Sequence, residues 1–473
     1  MRLFACFAVL SLMLPTVAFA QDNPVSGQAI YQKHCASCHG KDLAGGNAQS
    51  MVDGVWQYGA GRGSITRNIK FGISAFGMPD YREALSDKEI KQVVDFILKM
   101  EEQADPQPQP LPEQLQTRDY NIDVKVVAEG LDTPWAMTFV NETTALITER
   151  SGQLRLFKGG KLHPDPIKNT PAVFASGQGG LLDVQIDPDY ADNGWVYLSY
   201  SHTLEKGEGR NRPAMTRIVR GKIKDHAWTS QEVLFEAPRD TYVASGVHYG
   251  SRITFGNDGH LFFSIGDRGK QDMAQDLSKP NGKIHRINRD GSIPKDNPFA
   301  NKENAIASIY TFGNRNPQGL ATHPTTGDVW STEHGPMGGD ELNLVSSGTN
   351  YGWPVITYGI NYNGQPVTDI QTKEGMAQPV LYWTPSIAVC GMDFVKGDHF
   401  PRWQDHLFVT GLGYEELRRL NISNGKVVHQ EIVLKNHGRV RDVASGPDGS
   451  IYVVLNNPGT ILHLTNAGEA LRQ

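Results

Sequence analysis

Four cysteines in 473 residues are too few for a disulfide framework. Lysine and arginine total 45 against 51 acids and nowhere cluster, so the net charge of −6 argues against nucleic acid or an anionic membrane as partner. Long apolar runs are also missing. The longest, from Leu3 to Ala18, falls short of the roughly 20 residues that span a bilayer. No Gly-x-Gly-x-x-Gly turn joins a strand to a helix, which leaves a nicotinamide dinucleotide without its usual seat. With 39% apolar and 20% charged residues, the chain can still bury a sizeable core and is too long for one small domain.

The apolar run at the start follows Arg2 and closes on Ala18-Phe19-Ala20, the pattern of a secretory leader cut after Ala20. Removing residues 1–20 takes one positive charge from −6 and gives −7. It also leaves three cysteines, of which two stand in Cys35-Ala36-Ser37-Cys38-His39. Two thiols three apart followed at once by an imidazole is the c-type haem attachment pattern: the cysteines bond to the porphyrin edge and His39 is placed under the iron. A redox dithiol leaves His39 unexplained, and a zinc site needs two further ligands. Export and covalent haem agree with each other and point to the periplasm of a Gram-negative bacterium.

A helical unit over 21–103 surrounds this motif. Ser26 is placed to cap a first helix, and Ser86-Asp87-Lys88-Glu89 reads as a capping box before Ile90, Val93, Val94, Ile97 and Leu98 on one face. Met51, Met78 and Met100 are candidates for the sixth iron ligand. Met78 is preferred because Gly77-Met78-Pro79 predicts an irregular loop, and a thioether raises the potential of an electron-carrying haem. From Gly27 to Met100 the segment resembles class I cytochromes c. Alternating prolines from Pro106 to Pro112 then predict a stiff spacer over 104–117.

Beyond it, over 118–473, an apolar run, a polar turn and a second apolar run recur six times. The copies start at Ala136, Leu182, Ile253, Gly319, Met392 and Val443. Such spacing predicts a six-bladed β-propeller, giving a multidomain chain with a small all-α unit followed by an all-β one. A propeller gathers its site around the central channel, in loops expected to follow the inner strands. The unusual residues stand in His248-Tyr249-Gly250-Ser251-Arg252, Asp267-Arg268-Gly269-Lys270-Gln271 and Arg315-Asn316-Pro317-Gln318-Gly319. Others stand in Glu333-His334-Gly335-Pro336 with Asp340-Glu341, in Asn350-Tyr351-Gly352-Trp353-Pro354 and in Arg439-Val440-Arg441-Asp442. Arginines, a histidine with a carboxylate partner and a carbonyl-rich turn would suit an anionic, metal-assisted cofactor.

In the order and spacing of these phrases, Tyr120 to Leu464 resembles the soluble aldose sugar dehydrogenases, relatives of soluble quinoprotein glucose dehydrogenase. The resemblance implies a six-bladed propeller using pyrroloquinoline quinone (PQQ) and calcium to oxidise sugars. It makes His248 the general base, Asp267 its orienting partner, and Arg315 and Asn316 the holders of the quinone oxygens with Gln318 nearby. By the same resemblance Arg439 and Arg441 pair with cofactor carboxylates, Gln271 is the expected glutamine after Asp267, and Gln178 faces the sugar. Gly335 and Pro336 give carbonyls to the calcium held with PQQ, while Glu341 and Tyr351 belong to a second, structural calcium. Two positions depart from the pattern: Gly413 stands where relatives place a lysine, and Val247 where the glucose enzyme has an aspartate.

Oxidising an aldose at C1 releases two electrons, whereas a haem takes one at a time, so a carrier that splits the pair is needed between sugar and iron. PQQ fills that place, with an external cytochrome or quinone as final acceptor. Two other readings stay open: a calcium-dependent sugar-lactone hydrolase, and a non-enzymatic sugar-binding propeller fused to an electron-transfer cytochrome. Cys390 has no pairing partner and reads as a small buried apolar residue.

Overall fold

The computed structural model describes residues 26–73, 77–106, 110–204 and 212–470. The leader, Ala75 and Phe76 of the methionine loop, and Gln107–Gln109 of the spacer lie outside the described residues. The Ser26 hydroxyl accepts from the Ala29 amide at 3.2 Å and caps α1 (Gly27–His34), satisfying one of the amides a helix start leaves unpaired. α2 (Ala36–His39) carries the haem motif round one turn, and α3 (Gly61–Phe71) follows. α4 (Asp87–Ala104) begins with the predicted capping box and buries Ile90, Val93, Val94 and Ile97; Leu98 is half-buried. A Cβ on Gly27 would lie 2.1 Å from the Gln92 carbonyl oxygen, so only glycine lets α1 approach α4 this closely.

Contacts divide the chain into two units, the first ending at Pro106 and the second including everything from Gln107 onward, with Gly54–Ile65 grouped in the second. No helix among the described residues is long and apolar enough to cross a membrane.

The second unit contains six antiparallel sheets. Each predicted pair of apolar runs forms the first two strands of one sheet, in the registers Met137↔Ile147, Val184↔Leu198, Ile253↔Phe263, Leu320↔Ser331, Met392↔Val409 and Val443↔Val453. We number the blades 1 to 6 in that order. The first strands touch their neighbours in sequence, and the last touches the first, so they form a closed ring. Blade 6 is completed by Tyr120–Ala128, which pairs along Gly459–Glu469 with Val124 opposite Leu464. Joining the beginning of the propeller to its end in one sheet removes the free edges an open ring would expose.

Arg252 links blades across the axis. Its guanidinium meets Asp442 at 2.9 Å and Asp183 at 3.4 Å, and donates to the main-chain oxygens of Gln318 and Arg441. The same two carboxylates accept the amides of Met137 and Ile253. Residues of blades 1, 2, 3, 4 and 6 thereby meet through one buried cation, which lies 4.1 Å from the Trp135 ring centroid.

The functional loops differ from expectation in one respect. They sit where first strands begin and second strands end, rather than after the inner strands. His248 precedes the strand Ile253–Phe255, Arg315 precedes Pro317–Thr322, and Arg439 begins Arg439–Ser445, while Asp267 follows Leu261–Ile265 and His334 follows Val329–Glu333. In an antiparallel pair those ends share one rim, which is why residues scattered in sequence can converge there.

Candidate active site

The turn after Leu261–Ile265 delivers Asp267 with its side chain wholly buried. One carboxylate oxygen meets His248 Nδ1 at 2.6 Å and also accepts the Gly269 amide at 2.7 Å; the other accepts Trp353 Nε1 at 2.9 Å. Burial pushes this carboxyl up, but the His248 hydrogen bond, the neighbouring charges and the Gly269 amide outweigh it and hold it below the ordinary carboxylate range. An ionised partner at Nδ1 fixes the proton there and leaves Nε2 of the imidazole with its lone pair. Burial, aided by the guanidiniums of Arg315 and Arg268, holds His248 below the usual histidine range against the opposing pull of Asp267. The outcome is a neutral, oriented base at neutral pH.

Gln178 is fixed beside it, its side-chain oxygen accepting the His248 main-chain amide at 2.8 Å. Asn316 accepts the Gly250 amide at 3.0 Å, and Gln318 donates to the Gly250 oxygen at 3.0 Å. Arg441 donates to Gln318 Oε1 at 3.0 Å and to the Cys390 sulfur at 3.0 Å. Arg315 donates its amide to Glu333 at 2.7 Å and its side chain to the His334 oxygen at 3.1 Å, and lies 5.3 Å from the Trp353 ring centroid.

A cavity of about 590 Å³ opens beside these residues, lined in part by Gln178, Gln318, His334, Arg150, Arg439 and Arg441. No acidic side chain among the described residues lines it. Arg439 and Arg441 stand two apart on one strand and both line the cavity; partial desolvation and the neighbouring Arg441 press the guanidinium of Arg439, itself an exposed residue, below its usual range. Three buried nitrogens here, Arg315 Nε, His334 Nε2 and Arg441 Nε, have no hydrogen-bond partner among the described residues. Unsatisfied buried donors beside crowded cations fit a multiply charged anionic ligand rich in acceptors.

The turn Gly335 to Gly339 is buried and tightly folded: a Cβ on Gly335 would lie 2.3 Å from the Gly338 carbonyl oxygen, and the Gly335 amide donates to Asp340 at 2.9 Å. Nearby, Glu333 and Glu341 both accept from Asn343 Nδ2, at 3.2 and 3.0 Å, and Asn343 Oδ1 is buried without a partner. Burial raises Glu333 to about 7, and burial with Glu333 beside it raises Glu341 well above the carboxylate range. Two crowded carboxylates and an orphaned amide oxygen fit a hard cation, although no cluster of three or more His, Cys, Asp or Glu able to hold a metal occurs among the described residues. The Tyr351 hydroxyl is committed to the Leu344 oxygen and the Ser346 amide, so a cation there would have only its main-chain oxygen.

Gln271 begins a short 3-10 turn and is exposed. Gln275, four residues on, instead bonds Asn350 and the Trp353 oxygen. Gly413 adjoins the cavity-lining Leu412. Sequence reasoning gave no role to His334, Trp353, Trp135 or Arg150. The first two lay inside quoted motifs, and only their three-dimensional neighbours distinguish them from turn residues.

In the N-terminal unit His39 Nδ1 lies 3.0 Å from the Gln49 oxygen, which leaves Nε2 for an iron. Cys35 is half-buried and Cys38 is exposed. Met78 is held by a two-way main-chain bridge to Ile73.

The model of the glucose / sorbosone dehydrogenase family matches residues 131–463. The chain belongs to this family. Within it, the chain is 39% identical over 340 residues to the aldose sugar dehydrogenase YliI of Escherichia coli K12, covering 70% of this chain and 90% of that one. It is 31% identical over 424 residues to quinoprotein glucose dehydrogenase B of Acinetobacter calcoaceticus, covering 72% and 87%. The PQQ-bound aldose sugar dehydrogenase of Streptomyces coelicolor matches with a TM-score of 0.59 at 26% identity, covering 73% of this chain and 98% of that one. A second model, cytochrome c oxidase cbb3-type subunit III, matches residues 22–97. This member of the glucose/sorbosone dehydrogenase family is therefore an oxidoreductase with a cytochrome c domain, and hence a haem, ahead of its propeller.

Proposed function

We propose that this chain is a periplasmic quinohaemoprotein that oxidises aldose sugars at C1 to lactones with PQQ and calcium. Its electrons leave through its own c-type haem to an external cytochrome or quinone. The observation that carries this reading is His248, gripped at Nδ1 by Asp267, beside an arginine-lined cavity without an acidic side chain among the described residues.

His248 Nε2 takes the proton of the C1 hydroxyl, Asp267 holds the ring in the tautomer that allows it, and Gln178 faces the sugar. Arg315 and Asn316 hold the quinone oxygens with Gln318 nearby, while Arg439 and Arg441 meet the carboxylates. Gly335 and Pro336 offer carbonyl oxygens to the accompanying calcium, and Glu341 belongs to a second one. Cys35, Cys38, His39 and Met78 hold the haem. Bound there, quinone and calcium supply a two-electron acceptor with a Lewis acid, and haem supplies a one-electron outlet.

Adding PQQ and calcium to the purified haem-bearing protein, and then aldoses, should turn the haem bands from ferric to ferrous. Haem that stays ferric under every aldose while an added dye is bleached would overturn the internal route. Lactone consumption without reduction would make the chain a hydrolase.

Arg441→Gln is expected to weaken quinone binding about ten- to a hundredfold, the worth of one charge-assisted hydrogen bond. Titrating apoprotein with quinone and following its absorbance measures this, and an unchanged Kd would remove Arg441 from the cofactor site.

A further inference from the structure

Asp267 is followed directly by Arg268, whose side chain is fully buried. Its guanidinium donates to the main-chain oxygens of Val247 and Ser245, reaches the Ala214 oxygen at 3.4 Å, and lies 3.4 Å from the Tyr249 ring centroid. Among the described residues no acidic side chain forms an ion pair with it, and its Nε has no partner. Burying a cation against carbonyl dipoles and one ring face, without a carboxylate partner, is expensive. An apolar side chain could fill the space at lower cost, so the charge itself calls for a reason.

The reason lies in what those carbonyls belong to. Val247 directly precedes His248, whose backbone is left-handed at φ 56°. A non-glycine residue stays in that region only when its surroundings over-determine it. Three contacts do so here. Asp267 grips the ring, Gln178 holds the His248 amide, and Arg268 grips the carbonyl of the peptide behind it. Consecutive residues of one turn thus fix both the ring and the backbone of the base.

We propose that Arg268 is a positioning residue for His248: its guanidinium clamps the Ser245–Tyr249 turn beneath the base and places a fixed positive charge beside the imidazole. The inference rests on the reading of His248 as the base. The charged and titratable groups facing that ring are Asp267, which favours its protonated form, and Arg315 and Arg268, which oppose it; the buried His334 lies close by. Burial brings the Arg268 guanidinium down to about 10, so it stays charged at neutral pH. Without Arg268, one of the two cations opposing Asp267 is gone, and the imidazole should protonate more readily.

The test follows the His248 imidazole by NMR in the full-length protein, with histidine-selective ¹⁵N labelling, reduced haem and no quinone. His248→Gln identifies the signal. In Arg268→Met, the protonated-to-neutral ratio at a given pH should rise about threefold or more, the scale of a unit charge acting at medium range in protein. In Arg268→Lys, which keeps the charge and loses the fork, the ratio should stay at the wild-type value while kcat falls with the turn geometry. An unchanged titration in folded Arg268→Met would overturn the proposal. So would an equal rise in Arg268→Lys, which would assign the effect to packing. Arg268→Gln serves if Arg268→Met does not fold; failure of all three to fold would also overturn the proposal, making Arg268 a residue of folding alone. Full turnover in His248→Ala would instead remove the base assignment and leave the titration result standing.

Discussion

His248→Ala should lower kcat about a thousandfold, the usual worth of a positioned general base, while the protein still folds and still binds quinone. The reason is local. Asp267 meets Nδ1 at 2.6 Å and is itself fixed by Trp353 and the Gly269 amide, so Nε2 is the one ring nitrogen left to accept a proton. Because the base works only when neutral, kcat/KM should rise with pH through the imidazole titration and then level off. Burial and two nearby guanidiniums hold that titration below the ordinary histidine range. The acid limb should therefore fall below the pH at which a free histidine titrates, and a limb above it would contradict the environment described. Steady-state rates with an artificial dye acceptor measure both effects independently of the haem. Wild-type turnover in His248→Ala with quinone bound would mean that another group takes the proton.

The fold was legible because its signals are local. An apolar run, a turn and a second apolar run define a strand pair, and each of the six repeats forms the first two strands of a blade. The capping box at Ser86 is as local, requiring only Glu89 three residues on. What escaped depends on distant partners. Arg252 looked like the end of a motif, yet one of its partners, Asp183, is 69 residues away and another, the Arg441 oxygen, is 189 away. Arg268 looked like a charged turn residue, and turns are usually exposed. Nothing in the sequence around it says that its guanidinium is wholly buried against three carbonyls. The rim carrying the site was misjudged for a related reason: inner strands could be recognised one at a time, but which of their ends shares a rim with its neighbours follows only from the closed ring. Gln275 shows the same limit: it follows the 3-10 turn begun by Gln271, and only the fold reveals its bonds to Asn350 and the Trp353 oxygen.

Arg252→Met should destabilise the propeller by about 3 to 5 kcal/mol, since removing one partner of a buried charge cluster strands the others. Asp183 and Asp442 are both buried, and burial raises both carboxyls even with the guanidinium present, Asp442 to about 7. The sign of the pH dependence follows. A carboxyl whose folded pKa lies above its unfolded value favours the folded state when protonated, and that contribution is lost as pH rises through the folded pKa. Below about pH 6 Asp442 carries a proton in wild type and variant alike, and the two proteins should differ least. At pH 8 wild type holds the ionised carboxylate against Arg252, whereas the variant must either bury it unpaired or keep the proton, so the gap should widen. Denaturant midpoints of the propeller transition at pH 6 and pH 8 would measure this. Adding Asp442→Asn to Arg252→Met should recover part of the loss, because the two changes act on one cluster and are not additive. The same variant should bind quinone more weakly, because Arg252 also holds the main-chain oxygens of Gln318 and Arg441. Equal midpoint shifts at the two pH values would show that Arg252 acts through packing against Trp135 rather than through the charges it pairs.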